Sequence, residues 1–435
     1  MDLLKINDPE GELPNSFYTH SIKKNTNYTS LKKDLICQIC IIGAGYTGLS
    51  AGLSLAELGY DVVILEANRV GFGASGRNGG QVGSGQRWDQ KKLEKHFGFD
   101  QAKIFWEISE AAKQEVISRI KLHDIECDFC SGIINTTVNK DDVSQLFNEV
   151  ELLKQKYNYN KLEILNSKDL SKTLDTDFYS AGCLDLGAGH LNPLKFAIGL
   201  STAAVKKRVT IFEKSCVIKV KYGRKNTVFL DNGCQVKCEN VIFSCNGYLG
   251  NLEPKISKKV MPINNFILTT EILEKNLLDS FFKNNYAVAD DKFVPNYFRP
   301  SPDKRLIFGG GENYTYKFPK AIKSLVRKKM IKVYPQLEKT KIDFVWGGTL
   351  AVTRSRLPYF AKIKQNAYSV SGYSGHGVAL SVLSGKIIAE LINGNSKRFD
   401  FMNKIPTKPF PGNSSLQWPM LVLGMLWYSL RDRLR

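Results

Sequence analysis

Three glycines, Gly43, Gly45 and Gly48, stand in the spacing G-x-G-x-x-G with Ala44, Tyr46 and Thr47 between them, a pattern suited to holding phosphate. Gly43 permits a tight turn, Gly45 lets a pyrophosphate approach the backbone, and Gly48 allows a helix to pack closely on a strand. Phosphates placed there would meet the free N–H groups and positive dipole end of a helix. Glu66 follows 23 residues after Gly43, where its carboxylate can accept hydrogen bonds from the ribose hydroxyls of an adenosine and would repel a 2′-phosphate. The competing reading is a glycine-rich turn that binds no nucleotide.

Two further stretches mix glycine with polar side chains. Residues 69–81 read RVGFGASGRNGGQ, too rich in glycine for regular structure. Such a loop lets backbone approach a large planar ligand, and linkers, the alternative, seldom mix Arg, Asn and Gln with glycine so compactly. Residues 368–378 read YSVSGYSGHGV, again a strand, a glycine turn and the start of a helix. A second set of free N–H groups would there face an electron-rich ligand.

These residues need elements to hold them. Residues 39–42 and 61–65 are apolar runs suited to buried strands on either side of an alanine- and leucine-rich helix. Residues 104–122 and 142–157 have helical periodicity, with a strand-like stretch at 132–138 between them. Asn192 and Pro193 form a helix start, Asn as N-cap and Pro at the first helical position. Strands are expected at 209–212 and 216–220, a hairpin turn at Asp231-Asn232-Gly233, and a buried strand at 241–245 running into the turn Asn246-Gly247. Further on, 266–271 alternate as a strand, 305–308 form a strand stopped by Gly309-Gly310-Gly311, and 321–333 form a basic amphipathic surface helix.

Composition bounds the classes of function. The 435 residues, 43% of them apolar, suffice for two domains with real cores. Lys and Arg number 61 against 42 Asp and Glu, a net charge of +19, which raises nucleic acid or an anionic membrane as partners. The basic residues are scattered in short clusters such as Lys206-Lys207-Arg208, without interleaved aromatics, so nucleic-acid binding is disfavoured and a solvated surface expected. The nine cysteines and a polar start without an apolar signal region point to a cytoplasmic chain with reduced thiols. Cys37 and Cys40 are three apart on a strand, hence expected on opposite faces, and Cys127 with Cys130 lack a second pair, so no metal site is expected.

Together these pieces resemble the FAD-dependent D-amino-acid oxidase and glycine oxidase superfamily, and within it the γ-glutamylputrescine oxidase branch. The resemblance rests on Gly43 to Gly48 with Glu66, on GFGASGRNGGQ, on 244–250, on 346–358 and on GYSGHGVAL at 372–380, in order along nearly the whole chain. It implies an α/β fold: a discontinuous Rossmann-like FAD-binding domain with an inserted α+β substrate domain built on a mixed sheet. The expected division is an arm at 1–35, FAD-binding segments at 36–87, 183–258 and 346–395, substrate segments at 88–182 and 259–345, and an extension at 396–435 with a short apolar helix. For FAD the resemblance implies Gly43, Gly45, Tyr46, Thr47, Gly48, Glu66, Ala67 and Arg69. The loop would add Gly73, Ala74, Ser75, Arg77, Asn78, Gly79, Gly80 and Gln81. Val217 would meet the adenine, Asn246 and Gly247 would lie beside the dinucleotide, and Gly375, His376, Gly377 and Val378 would line the flavin's pyrimidine edge. His376 is either a stabiliser of charge near flavin N1 and C2=O or a turn histidine.

The reaction implied is removal of a hydride from a carbon bearing a neutral amine to flavin N5, giving an imine that hydrolyses to an aldehyde, the flavin being reoxidised by O2. Tyr297, Arg299, Trp346, Arg354 and His376 are the candidates on the substrate side. Relatives acting on simple α-amino acids place an arginine shortly after the position of Trp346; here leucine, Leu350, stands there, which favours an amine or polyamine derivative. No lysine occurs in 306–308, where sarcosine oxidases carry one, so a dehydrogenase passing electrons to a quinone or carrier is the alternative, and a flavoprotein acting on RNA a further one. The apolar run 420–428 is shorter than the ~20 residues that cross a bilayer, so it either packs on the protein or touches a membrane surface.

Overall fold

The apolar run at 39–42 becomes the inner half of the strand Leu35–Ile42, at the centre of the first of two sheets. In this computed structural model residues 2–411 are described apart from 24–25, 276, 278–280 and 282–283, and the apolar segment expected beyond 411 lies outside the described residues. Ala367–Ser371, Gln235–Phe243, Leu35–Ile42, Val62–Leu65 and Thr210–Phe212 run parallel in that order, with Tyr359–Lys364 antiparallel at one edge. Parallel strands are covered on both faces, which is why Val62–Leu65 is apolar at every position and buried throughout. One face carries the helices Tyr46–Glu57, Phe99–Leu122, Pro193–Lys206 and Val378–Ile392, whose Leu49, Phe105, Phe196 and Leu383 share a core with Ile39 and Ile41. The other face is closed by the hairpin strands Val217–Lys221 and Asn226–Leu230.

The second sheet has the order Ile342–Val352, Met261–Thr270, Leu306–Asn313, Tyr297–Pro300, Ala287–Asp290, Cys130–Thr137, Ala181–His190 and Gln81–Val82, with Leu162–Asn166 paired to Ala181–His190. It is mixed: Ala287–Asp290 runs parallel to Cys130–Thr137 and its other pairings are antiparallel. Helix Ile322–Val333 covers it with Val326 and Met330, both fully buried.

Several boundaries differ from those expected. The limits at 182/183 and 345/346 fall inside Ala181–His190 and Ile342–Val352, strands that belong to the second sheet along their whole length. Helix Phe99–Leu122, expected in the substrate segment, buries Phe105, Ala112 and Val116 in the first domain's core. Apolar periodicity shows that a helix has a face to bury, but not which sheet receives it. The glycines 309–311 do not stop their strand, which continues to Asn313. A Cβ at Gly309 would lie 2.1 Å from the Tyr297 ring, so glycine lets that ring lie flat on the strand. Cys37 and Cys40 are not parted by the sheet: both enter one apolar cluster with Cys238, the Cys37 thiol turning back to the Ile39 carbonyl at 3.3 Å.

The first 35 residues, expected as an extended arm, are packed against both domains. Ser16 caps the short helix Phe17–Ser21, and Phe17 and Tyr18 are buried with Leu194, Ile307 and Trp346. Asp8 reaches the Arg77 guanidinium at 2.7 Å. Glu213, with no exposed surface, ties the arm down: it accepts from Thr26 Oγ1 at 2.6 Å, Tyr28 N at 3.2 Å, Val70 N at 2.8 Å and Arg69 Nη1 at 2.8 Å. Removing such an acceptor leaves buried donors and a half-buried cation unmatched, at a cost of about 3 kcal/mol. Glu213→Ala is therefore expected to lower the Tm by several degrees and to expose the N-terminal segment to limited proteolysis, with Glu213→Gln intermediate. A wild-type Tm and digestion pattern for Glu213→Ala would contradict this anchoring.

Candidate active site

Between the two sheets lies one continuous cavity of about 470 Å³. Its first end is made where strand Leu35–Ile42 turns into helix Tyr46–Glu57. Gly43 has φ of +104°, and a Cβ on Gly48 would stand 2.0 Å from the Gly43 carbonyl oxygen, so both glycines are required by the close approach of helix to strand. The helix begins at Gly45 without a side-chain cap, leaving its first N–H groups toward the cavity. Ser75 Oγ accepts from Tyr46 N at 3.0 Å and fixes the following loop over this turn.

Glu66 lines the same end, only 8% exposed, and accepts from Ala44 N at 2.8 Å and Asn68 N at 2.9 Å. Burial outweighs these donors and pushes its carboxyl up to about 7. Ala67, Val217, Cys216 and Leu249 complete a slot with apolar walls beside it. Further along, Gly73, Ala74, Ser75, Asn78, Gly79 and Gln81 line one wall and Asn246, Ser374, Gly375, His376, Gly377 and Val378 the other. The Asn78 amide donates to Ala74 O at 2.9 Å and Ser75 O at 3.1 Å and its oxygen accepts from Gly80 N at 2.7 Å, so this side chain shapes the loop. Asn246, at φ of +46°, accepts from Gly372 N at 3.1 Å and locks the two glycine turns together. Helix Val378–Ile392 also starts without a side-chain cap at the cavity.

Burial first, and the nearby Arg87 cation second, push the His376 imidazole down to about 4. It is neutral at ordinary pH and its Nε2–H faces the Ser84 carbonyl at 2.9 Å. The alternative of a turn histidine is the one its geometry favours.

Not every expected residue reaches the cavity. Arg77 does line it, but its guanidinium donates from Nη1 to Asp8 at 2.7 Å and to Gly347 O at 3.1 Å and lies over the Phe72 ring, with Nη2 buried and unpartnered among the described residues. Arg69 is spent on Glu213 and on Gly11 O at 2.9 Å. Arg299, buried, donates to Gly79 O at 2.9 Å and Leu191 O at 3.0 Å, carbonyls rather than an acid, and Trp346 donates to Arg77 O at 3.0 Å. Arg354 points to Pro409 O at 3.1 Å, away from the cavity, and Gly48, Gly80 and Gly247 lie behind its wall as packing glycines. Tyr297 does line it, flat against Gly79 and Gly309, with its hydroxyl donating to Asn265 Oδ1 at 2.5 Å.

Apart from Leu350, the far end is built from residues that no motif marks. Asp185, 3% exposed, accepts from Tyr159 O–H at 2.5 Å, Ser84 O–H at 2.8 Å and Gly187 N at 2.9 Å, while Lys113 Nζ supports Ser84 Oγ at 2.5 Å and Tyr159 at 2.7 Å. Asp290, its carboxyl pushed up to about 6 by burial, accepts from Asn296 N at 2.8 Å and Nδ2 at 2.7 Å. Arg87, Glu312, Arg356 and Leu350 form the remaining wall. Only the sheet's strand order brings them together, so no local motif marks them.

A family model described as DAO, FAD dependent oxidoreductase, matches residues 38–391. Gamma-glutamylputrescine oxidoreductase of Escherichia coli (strain K12) is 38% identical over 97% of this chain and 99% of its own length. Probable oxidoreductase OrdL of Rhizobium meliloti (strain 1021) is 33% identical over 96% of this chain and 97% of its own. Among solved structures, glycine oxidase from Geobacillus kaustophilus superposes with a TM-score of 0.70 at 17% identity, covering 82% of this chain and 95% of that one. L-proline dehydrogenase from P. horikoshii gives 0.67 at 20% identity over 83% and 94%.

FAD fits this cavity: uncapped helix N-termini suit its phosphates, Glu66 suits its ribose, and a long slot between glycine-rich walls suits its ring system. Ribose hydroxyls would donate to ionised Glu66, so binding would draw its carboxyl below the free-protein value near 7 and release a proton when pH is lower. FAD affinity of the apoprotein is therefore expected to be full above that value and to fall as pH drops through it, measured by flavin fluorescence quenching. Glu66→Gln should bind more weakly and lose the pH dependence; a parallel pH profile in both proteins would refute the assignment.

Proposed function

This chain belongs to the family of FAD-dependent oxidoreductases, and we propose that it oxidises the terminal amine carbon of a γ-glutamyl amine such as γ-glutamylputrescine. The product imine hydrolyses to an aldehyde, and dioxygen takes the electrons. Bound FAD supplies the two-electron acceptor for the hydride. What the chain itself must do is desolvate and orient one C–H bond and attract a cationic amine that reacts in its neutral form.

The observation that carries this reading is the polarity of the cavity end. Asp185 and Asp290 are buried carboxylates in its wall, and the segment after Trp346 brings Leu350 rather than an arginine to that wall. An acidic, buried end draws in an ammonium group although the protein as a whole carries +19, because interactions at contact distance in a low-dielectric cleft outweigh screened surface charge. Asp185 keeps its orientation through three donors, and Lys113 behind Tyr159 and Ser84 offsets part of its charge. The apolar wall of Leu350 and Phe293 suits a methylene chain and excludes water from the reacting carbon. The likeness to the Escherichia coli enzyme over the full length of both chains supports the same substrate class.

The test is anaerobic reduction of the bound flavin, followed at its visible absorbance band. γ-Glutamylputrescine is expected to bleach it rapidly, with glycine, sarcosine and D-alanine slower by orders of magnitude. Readmitted oxygen should restore the band within the turnover time; restoration only by a quinone would assign the dehydrogenase reading instead. Asp185→Asn should slow reduction on the order of 100-fold, as loss of a charged partner in a desolvated site does. Bleaching by simple amino acids but not by the γ-glutamyl amine would sink the proposal.

A further inference from the structure

Arg87 and Glu312 are charged residues in the cavity wall that neither the cofactor nor the amine end uses. Arg87 follows the short strand Gln81–Val82 at one edge of the second sheet, and Glu312 is the penultimate residue of Leu306–Asn313, the third strand from the other edge. They nevertheless feel each other's field, together with Arg356 from the turn after Ile342–Val352. Arg87 is accessible to solvent yet surrounded by protein, the situation of a side chain lining a cleft. Its guanidinium has five N–H donors, and among the described residues it makes one long hydrogen bond, Nη2 to Phe293 O at 3.5 Å. Glu312 accepts a hydrogen bond from Tyr314 O–H at 3.1 Å through one oxygen, Oε2.

We infer that Arg87 and Glu312 form a receptor for the α-amino acid head of a γ-glutamyl substrate, Arg87 taking the α-carboxylate and Glu312 the α-ammonium. The inference rests on the γ-glutamyl amine reading given above and deepens it. A planar guanidinium donates two parallel N–H groups to a carboxylate, which a lysine cannot match. Glu312 supplies the opposite charge that an α-ammonium requires, and Arg356 adds a second cation to the same wall. The cavity wall then carries two kinds of recognition group: carboxylates Asp185 and Asp290 for the amine to be oxidised, and the mixed-charge group for the zwitterionic head. A free diamine has no group for Arg87, and its second ammonium would be set beside two guanidinium groups. The chain thereby selects the γ-glutamylated amine over the amine from which it is made.

The experiment uses FAD-loaded protein and anaerobic stopped-flow reduction with three amides of putrescine. One carries the γ-glutamyl group, one a glutaryl group that lacks the α-amine, and one a butanoyl group that lacks both charges. Relative to the butanoyl amide, Arg87→Met is expected to weaken γ-glutamyl and glutaryl amides on the order of 10- to 100-fold in reduction rate over apparent Kd, the loss typical of a charge-assisted hydrogen bond. Glu312→Gln should weaken the γ-glutamyl amide alone by a similar factor, again relative to the butanoyl amide. Equal losses on all three amides, or none, would overturn the head-group receptor while leaving the γ-glutamyl amine reading intact. If the wild-type flavin is not reduced by γ-glutamylputrescine at all, both fall together. Flavin content and Tm of each variant show that the ratio, not a damaged fold, is being read.

Discussion

A backbone contact governs this structure: the first turn of helix Tyr46–Glu57 lies so close to the end of strand Leu35–Ile42 that Gly48 has no room for a methyl group. The Gly43 carbonyl would stand 2.0 Å and Ser244 Oγ 2.6 Å from its Cβ. Ser244 Oγ in turn donates to Ile42 O at 2.8 Å and Gly43 O at 2.9 Å, so the adjacent strand Gln235–Phe243 is pinned to the same turn. Glycine Gly385 repeats the device on the far side: its Cβ would meet Thr47 O at 2.5 Å, which is how Val378–Ile392 comes to lie against Tyr46–Glu57. Two uncapped helix starts are thus brought to one cavity by three glycines and a serine. Everything placed along that cavity inherits its position from them.

The same elements explain how much could be read from the amino-acid order. Helix starts, buried strands and glycine turns are local, so the spacing of Gly43, Gly45 and Gly48, the Asn192-Pro193 start and the hairpin at Gly233 all have their expected form. Which wall a side chain joins is not local. Arg299 and Trp346 are natural candidates because they are polar or aromatic and follow or precede glycine turns; each spends its donors on carbonyls inside the protein. Asp185, Arg87 and Arg356 carry no motif and reach the cavity only because the second sheet folds their segments together. A run such as 309–311 also misleads, since three glycines signal a turn until the Tyr297 ring that needs the space is known.

The division of charge follows from the same geometry. Lysines and arginines are spread over an outer surface where water screens them, while the carboxylates that matter for a cationic ligand are few and enclosed. The formal total therefore says little about what the cleft attracts. Neutral His376 adds no positive charge to the cavity wall, so what that wall offers an electron-rich ring is the start of Val378–Ile392, which no side chain caps.

The packed N-terminal segment bears on how the molecule is made. Tyr18 lies edge-on to Trp346 at 5.1 Å between ring centroids, and its hydroxyl faces Arg299 Nη2 at 3.4 Å. As the chain leaves the ribosome, residues at the beginning must wait for partners made near its end. Contacts of such long sequence separation close last, after the parallel sheet has formed from segments that are themselves far apart in the chain. Until then Phe17 and Tyr18 stay uncovered, together with Leu194, Ile307 and Trp346, against which they pack. An incomplete chain that stops before Trp346 therefore lacks one of the aromatic partners on which its beginning packs.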